Sequence, residues 1–249
     1  LHDRRYIDDI VRAIAPRAGD FLVEIGPGEG ALTLPLLAAA GSLTAIELDT
    51  DLIPALKGRA ASVGELAVIH ADVLKVDFAA LAHRHGVERL RIAGNLPYYI
   101  SSPILFHCVE HASAIQDMHF MLQKEVVDRM AAGPGSKVYG RLSVMLQLAC
   151  HVVPLFEVPP EAFRPPPKVD SAVVRLVPLE PHERHDADPE LLHAVGKAAF
   201  GQRRKTPGNA LRQLLDADAI RAADIDPRAR AEMLAPEDFV RLARQLAAR

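Results

Sequence analysis

The sequence predicts an α/β protein, a parallel sheet covered by helices on both faces, with a small α-helical domain after it. Three observations carry this. Short apolar runs alternate with stretches of helical spacing, the first run closes on the turn Gly26-Pro27-Gly28-Glu29-Gly30, and no strand signal follows the linker Pro181 to Pro189.

Phe21-Leu22-Val23-Glu24-Ile25 ends at the glycines and Ala31 to Leu37 follows with helical spacing, so the opening reads strand, tight turn, helix. Leu43 to Ile46 is a second strand, ending in the acidic cluster Glu47, Asp49 and Asp51. A helix is expected from Asp51 to Ser62, strands at Ala67 to His70 and Leu90 to Ala93, a helix from Pro103 to His111, and a strand at Met118 to Leu122. Six prolines between Pro154 and Pro167 predict a rigid loop that feeds a late strand at Ser171 to Val177. Beyond the polar linker, helices are expected at Pro189 to Phe200, Gly208 to Asp216 and Pro236 to Arg249. The domains are therefore placed at 1–180 and 181–249.

Hydrophobic residues make up 49% of the 249 residues and charged residues 24%, a globular balance. No apolar run reaches the roughly 18 residues that a spanning helix needs, so no membrane association is expected. Cys108 and Cys150 sit in apolar stretches without a CxxC spacing, which suits a reducing compartment. Residue 1 is Leu and no signal-like segment follows it, so no export is indicated and the cytoplasm is the expected location. The net charge of -3 means that any nucleic-acid contact must come from local basic clusters. His107, Cys108 and His111 have helical spacing, but three ligands without a fourth do not make a closed structural site, and no metal is expected.

The glycines at 26, 28 and 30 allow positive φ and remove side chains where a strand turns into a helix, so a ligand can approach the backbone. Glu47, 19 residues beyond Gly28 at the end of the next strand, stands where a carboxylate can accept both hydroxyls of a ribose. A nicotinamide or flavin dinucleotide site shares this geometry but has the spacing GxGxxG and turns a helix N-terminus toward a pyrophosphate. Here the spacing is GxGxG with Glu24 before it, a carboxylate that repels a pyrophosphate and suits the cationic aminoacyl end of S-adenosylmethionine. Asp72 follows the third strand, placed to accept from the amine of an adenine or to be an ordinary solvated strand-end aspartate.

Asn95-Leu96-Pro97-Tyr98 follows the fourth strand, on the same carboxyl edge as Glu24, Glu47 and Asp72. Pro97 fixes φ and lacks an N–H, which predicts a stiff extended turn with carbonyls free to accept. The Asn95 side chain can accept from an exocyclic amine, and Tyr98 offers a ring face for stacking. In isolation the same residues would also make a packed Pro-Tyr turn.

These motifs together resemble the S-adenosylmethionine-dependent rRNA adenine N6-dimethyltransferases, and the resemblance spans nearly the whole chain. It includes Phe163-Arg164-Pro165-Pro166-Pro167-Lys168-Val169-Asp170-Ser171 and the late segment Phe200-Gly201-Gln202-Arg203-Arg204-Lys205-Thr206, which is similar to a signature of the family members acting on 16S rRNA. The resemblance implies a Rossmann-like methyltransferase sheet that takes S-adenosyl-L-methionine as cofactor. Glu24, Gly26 and Gly28 would line the methionine end, Glu47 would hold the ribose and Asp72 the adenine amine, with Asn95 also among the cofactor-binding residues. Asn95, Leu96, Pro97 and Tyr98 would receive the target base, with Phe163 as the opposite wall, and Arg203, Arg204 and Lys205 would contact rRNA. The implied partner is 16S rRNA in an immature small ribosomal subunit, the implied product is N6,N6-dimethyladenosine at two adjacent adenosines near its 3′ end, and a monomer is expected. The family's usual Gly-Gln-x-Phe-Leu segment is not seen before Leu1-His2-Asp3, and Pro207-Gly208 stand where the family more often has Leu and a polar or basic residue, which lowers local helix propensity. DNA adenine and protein glutamine methyltransferases share an Asn-x-Pro-Tyr site but commonly have Asn-Pro-Pro-Tyr. A 23S rRNA dimethylase is closer, and a non-catalytic ribosome-assembly factor on the same scaffold is the reading from another class.

Overall fold

The central feature is a seven-stranded sheet of order β3-β2-β1-β4-β5-β7-β6, seen in a computed structural model that describes residues 1–201 and 206–249. In chain order the elements are α1 (Arg4–Ile14), β1 (Leu22–Ile25), α2 (Thr33–Ala40), β2 (Ser42–Glu47), α3 (Ile53–Ala60), β3 (Glu65–His70), α4 (Phe78–Arg84), β4 (Leu90–Asn95), α5 (Ser101–Glu110) and β5 (Ile115–Gln123). There follow α6 (Lys124–Ala131), α7 (Arg141–Gln147), β6 (Cys150–Val158), β7 (Ser171–Pro178), α8 (Pro189–Gly201), α9 (Pro207–Ala210), α10 (Ala217–Ala222) and α11 (Pro236–Ala247). The chain divides into two units, Leu1–Val127 with Val152–Pro178, and Asp128–His151 with Leu179–Arg249.

Strands β1 to β5 pair in parallel, and β7 runs antiparallel to β5. The sheet is therefore mixed rather than wholly parallel as expected. All four residues of β1 are buried, which requires cover on both faces and explains why the strand reads as a short apolar run interrupted only by Glu24. The steps β1 to β2 to β3 go one way along the sheet, while β3 to β4 to β5 cross back past β1 the other way. With right-handed crossovers, α2 and α3 lie on one face and α4 and α5 on the other. The first face is closed by an apolar cluster holding Ile10 and Ile14 of α1, Leu36 and Leu37 of α2, and Leu22, Leu43, Ala93, Met121 and Val173 from the strands. The reversal between β1 and β4 opens a crevice at their carboxyl ends, the place where doubly wound sheets hold ligands.

The proline-rich stretch departs from expectation at its start, where β6 contains Pro154. As the outermost strand β6 turns one row of N–H groups away from the ladder, so a residue without one is tolerated there. In the second unit α8 buries Leu192, Val195 and Ala199, and α11 buries Phe239, Leu242 and Ala243, each at helical spacing. The Phe200 ring stacks on Phe239 at 5.3 Å and meets Tyr139 edge-on at 6.1 Å. The helix expected over Gly208 to Asp216 is only the four-residue α9, and Asp216 instead caps α10 by accepting from Ala219 N at 2.8 Å. Residues 128–151, expected within 1–180, group with the helical unit through bonds such as Tyr139 Oη to Leu234 O at 2.6 Å and Gly135 N to Glu232 O at 2.8 Å. Among the described residues no helix is long and apolar enough to cross a membrane.

Candidate active site

A cavity of about 390 Å³ opens at the carboxyl ends of β1 and β4, within the range typical of small-molecule sites. Its lining includes Glu24, Gly26, Gly28, Gly94 and Asn95. Gly26 and Gly28 have φ of 66° and 56°, and a Cβ at either would project into open space, so a ligand can lie against bare backbone. Glu24 is only 1% exposed and its Oε2 accepts from Thr33 Oγ1 of α2 at 2.6 Å. Burial pushes this carboxyl up to about 7, the Thr33 bond opposes the shift and nearby Glu47 adds to it. Glu47 is buried and held by backbone on both oxygens, accepting from Gly28 N at 3.1 Å and from Asp49 N at 3.0 Å. Each oxygen keeps a second acceptor site, so the carboxylate is oriented without being saturated. Asp72 uses Oδ1 to cap the turn at Leu74 N, at 3.0 Å, and keeps Oδ2. Neither Glu47 nor Asp72 lines the cavity.

Strand β4 delivers the second half of the site. Gly94 passes so close to β1 that a Cβ there would stand 2.7 Å from the Ile25 carbonyl oxygen. Asn95 pairs with Met121 of β5, lines the cavity, and its amide makes no side-chain hydrogen bond among the described residues. Leu96 is 1% exposed and donates to Met121 O at 3.1 Å, so it anchors the turn. The Pro97 carbonyl accepts a long bond of 3.3 Å from Ile100 N, which leaves one of its two lone pairs free rather than both. Tyr98 is half-buried, and its hydroxyl shares a 2.8 Å hydrogen bond with Ser171 Oγ of β7. Phe163, expected as the opposite wall, is 9% exposed and belongs to the same apolar cluster as Met121 and Val173. Arg203, Arg204 and Lys205 lie outside the described residues.

Several site residues went unread in the sequence. Thr33 and Ser171 are unremarkable hydroxyls whose partners, nine and 73 residues away, only the fold supplies. Leu1, His2, His119 and Arg164 also line the cavity, and His2 is tied to the Ala162 carbonyl by a backbone bond of 2.9 Å. Of the two histidines considered as metal ligands, His107 of α5 bonds the Val76 carbonyl at 2.7 Å through Nε2, and His111, the residue after that helix, bonds the His107 carbonyl at 3.0 Å through Nδ1.

The family model for ribosomal RNA adenine dimethylase matches residues 1–248. The chain belongs to that family. It is accordingly an rRNA adenine methyltransferase, on the Rossmann-like methyltransferase fold. Similar proteins include the ribosomal RNA small subunit methyltransferase A of Xanthomonas oryzae pathovar oryzae, 62% identical over 98% of this chain and 92% of that protein. The same-named protein of Xanthomonas campestris pathovar campestris is 61% identical over the same shares. Among solved structures, a dimethyladenosine transferase from Plasmodium falciparum is 26% identical with a TM-score of 0.81, covering 97% of this chain and 95% of that one. The 23S rRNA methyltransferase ErmE is 25% identical with a TM-score of 0.72, covering 99% of each chain. Dimethylase membership thus accompanies a site in which an amide and a buried carboxylate share one cavity.

Proposed function

We propose that this family member transfers methyl groups from S-adenosyl-L-methionine to N6 of two adjacent adenosines near the 3′ end of 16S rRNA, in an immature small ribosomal subunit. It acts as a monomer in the cytoplasm, with 1–180 as the broad catalytic region and 181–249 as the rRNA-binding one. The observation that carries this reading is the convergence of Glu24 and Asn95, from paired strands, on one cavity floored by bare glycine backbone. Relatives named for the small subunit, at 62% identity, favour 16S over 23S rRNA.

The donor set fits the cofactor. Gly26 and Gly28 give it backbone to lie on, Glu24 meets its ammonium, the remaining acceptor sites of Glu47 take ribose hydroxyls, and Asp72 Oδ2 takes the adenine amine. When bound, S-adenosylmethionine supplies an electrophilic methyl group. The chain's own work is to position the nucleophile. Adenine N6 is a poor nucleophile because its lone pair is delocalised into the ring. Asn95 and the free lone pair of the Pro97 carbonyl accept the two amine hydrogens, which favours pyramidal nitrogen as the N–C bond forms. No strong base is required, because the nitrogen takes the methyl as its bond to sulfur breaks and its electron pair stays on sulfur, and the nitrogen, now cationic and acidic, sheds its proton to water. Tyr98 stacks on the extruded base, and Phe163 completes the sandwich by leaving the apolar cluster, so stacking offsets an unstacking cost of a few kcal/mol. Arg203, Arg204 and Lys205 hold the RNA backbone.

The test is methylation of unmodified small subunits by wild type and Asn95→Ala, with products mapped by primer extension on 16S rRNA. Wild type is expected to place dimethyladenosine at the two positions. Asn95→Ala should slow transfer at least about 100-fold while cofactor affinity stays nearly intact. Equal turnover by the variant would reject the role given to Asn95, and a wild type that leaves the 16S rRNA of these subunits unmodified would reject the substrate.

A further inference from the structure

Tyr98, Tyr99 and Ile100 form one turn of 3-10 helix between Pro97 and α5. With three residues per turn, consecutive side chains leave such a helix about 120° apart, so the two tyrosines cannot face the same way. Tyr98 is held inward by Ser171. Tyr99 is 85% exposed, the most exposed of the large hydrophobic residues described, and it makes no hydrogen bond or ring contact among the described residues. The turn that presents it is stiff. Pro97 sits at φ −60°, Ile100 N donates to the Pro97 carbonyl, and Ser101 Oγ donates to the Tyr98 carbonyl at 3.2 Å. Single exposed apolar side chains are ordinary on protein surfaces. A free aromatic ring fixed one residue from the site that must receive an unstacked base is a different matter.

We propose that Tyr99 is a stacking platform for the nucleotide that flanks the target adenosine, an inference that rests on the rRNA substrate proposed above. Bringing a base to Asn95 removes it from its stack and strips the neighbouring base of one stacking face. Tyr99, whose Cα lies about 3.8 Å from that of Tyr98, offers a replacement face. Its ring has only two side-chain torsions to freeze, so little freedom is lost on contact. Stacking on an aromatic ring is tolerant of base identity. That suits two adjacent adenosines, because each is the neighbour when the other is the target.

Wild type, Tyr99→Ala and Tyr99→Phe are compared on small subunits lacking both modifications, at saturating S-adenosylmethionine. Tyr99→Ala should raise KM for the subunit about tenfold, within the range that loss of one stacking contact gives, with kcat changed less than about twofold. Tyr99→Phe, which keeps the ring, should restore KM. Cofactor affinity should be the same in all three. In an RNA fragment carrying 2-aminopurine at the flanking position, wild type and Tyr99→Phe should quench its fluorescence and Tyr99→Ala should not. An active wild type with unchanged KM and unchanged quenching in Tyr99→Ala overturns the proposal, as does a fall in kcat at constant KM, which would assign Tyr99 to holding the turn. A wild type inactive on subunits would instead remove the substrate reading beneath it.

Discussion

Glu24 carries a carboxyl group beyond the reach of bulk water with one hydrogen bond, from Thr33, to favour its charge. Its pKa is raised from 4.5 to about 7, so between those values the folded protein keeps a proton that the unfolded chain releases. The stability due to this group is therefore full below about pH 4.5 and is lost as pH rises through 7, a change on the order of 3 kcal/mol. His119 tilts the profile the other way. Burial, with help from Arg91 and Arg175, lowers its pKa from 6.5 to about 4, so its stability is full above 6.5 and is lost as pH falls through 4. The opposing slopes make the wild-type melting curve alone a poor reporter, and the difference between wild type and Glu24→Gln isolates one group. Without cofactor, that melting-temperature difference should shift against the wild type as pH rises from about 4.5 to 7.5, and a constant difference would reject the raised pKa. A cationic ligand end beside Glu24 favours its ionised form. Affinity for S-adenosylmethionine should then rise severalfold between about pH 6 and pH 8 in wild type, and stay flat in Glu24→Gln, as read by calorimetry.

At the scale of elements, two glycines divide the labour of the β1 to β4 switch point. A methyl group on Gly94 would meet the Ile25 carbonyl oxygen, a backbone atom, at 2.7 Å, so β1 and β4 could not keep their register. Gly94→Ala should cost more than about 2 kcal/mol in urea unfolding, because overpacking there has no flexible side chain to yield. Gly28→Ala places its methyl in open space at φ 56°, so the fold should lose only about 1 kcal/mol while cofactor affinity falls at least about tenfold. A reversed order of the two effects would overturn the assignment of one glycine to packing and the other to the ligand. The same distinction governs what the sequence discloses. β1 and β4 are legible because burial on both faces makes them largely apolar, and Glu24, Glu47, Asp72 and Asn95 are legible because each stands at or just beyond the carboxyl end of a strand on one edge. Strand β6 is hidden because Pro154 reads as loop chemistry, and only its edge position in the finished sheet makes it a strand. α1 does carry Ile7, Ile10 and Ile14 at helical spacing, with Tyr6 and Val11 partly buried against the same core. Ser171 is silent because its partner Tyr98 is 73 residues away, and the burial of the Phe163 ring depends on distant residues of the apolar cluster that the proline-rich loop does not reveal.

Over the whole molecule, a net charge of -3 must be reconciled with an anionic polymer as substrate. The described arginines of the second unit do not supply an open basic face, since many are answered by neighbouring carboxylates. Arg244 pairs with Asp186 at 2.5 Å, Arg221 with Asp218 at 3.0 Å, Arg249 with Asp216 at 2.9 Å, Arg228 with Asp226 at 3.3 Å, and Arg241 with Asp238. Such exposed pairs add little stability, but each carboxylate cancels much of its partner's field beyond a screening length of about 8–10 Å. In the function proposed above, Arg203, Arg204 and Lys205, adjacent in sequence with no acidic residue among them, supply the attraction for phosphate. Each phosphate contact releases condensed counterions, contributing about 0.7–0.9 to the slope of log affinity against log salt. Replacing all three by Ala should lower that slope for 16S rRNA by roughly 2 and weaken binding at low salt, with S-adenosylmethionine affinity unchanged. Replacing Arg228, which already has a carboxylate beside it, should leave the slope within about 0.3 of wild type. An equal loss of slope in both variants would show that the molecule binds RNA through its diffuse charge, and an unchanged slope in the triple variant would place the contacts elsewhere.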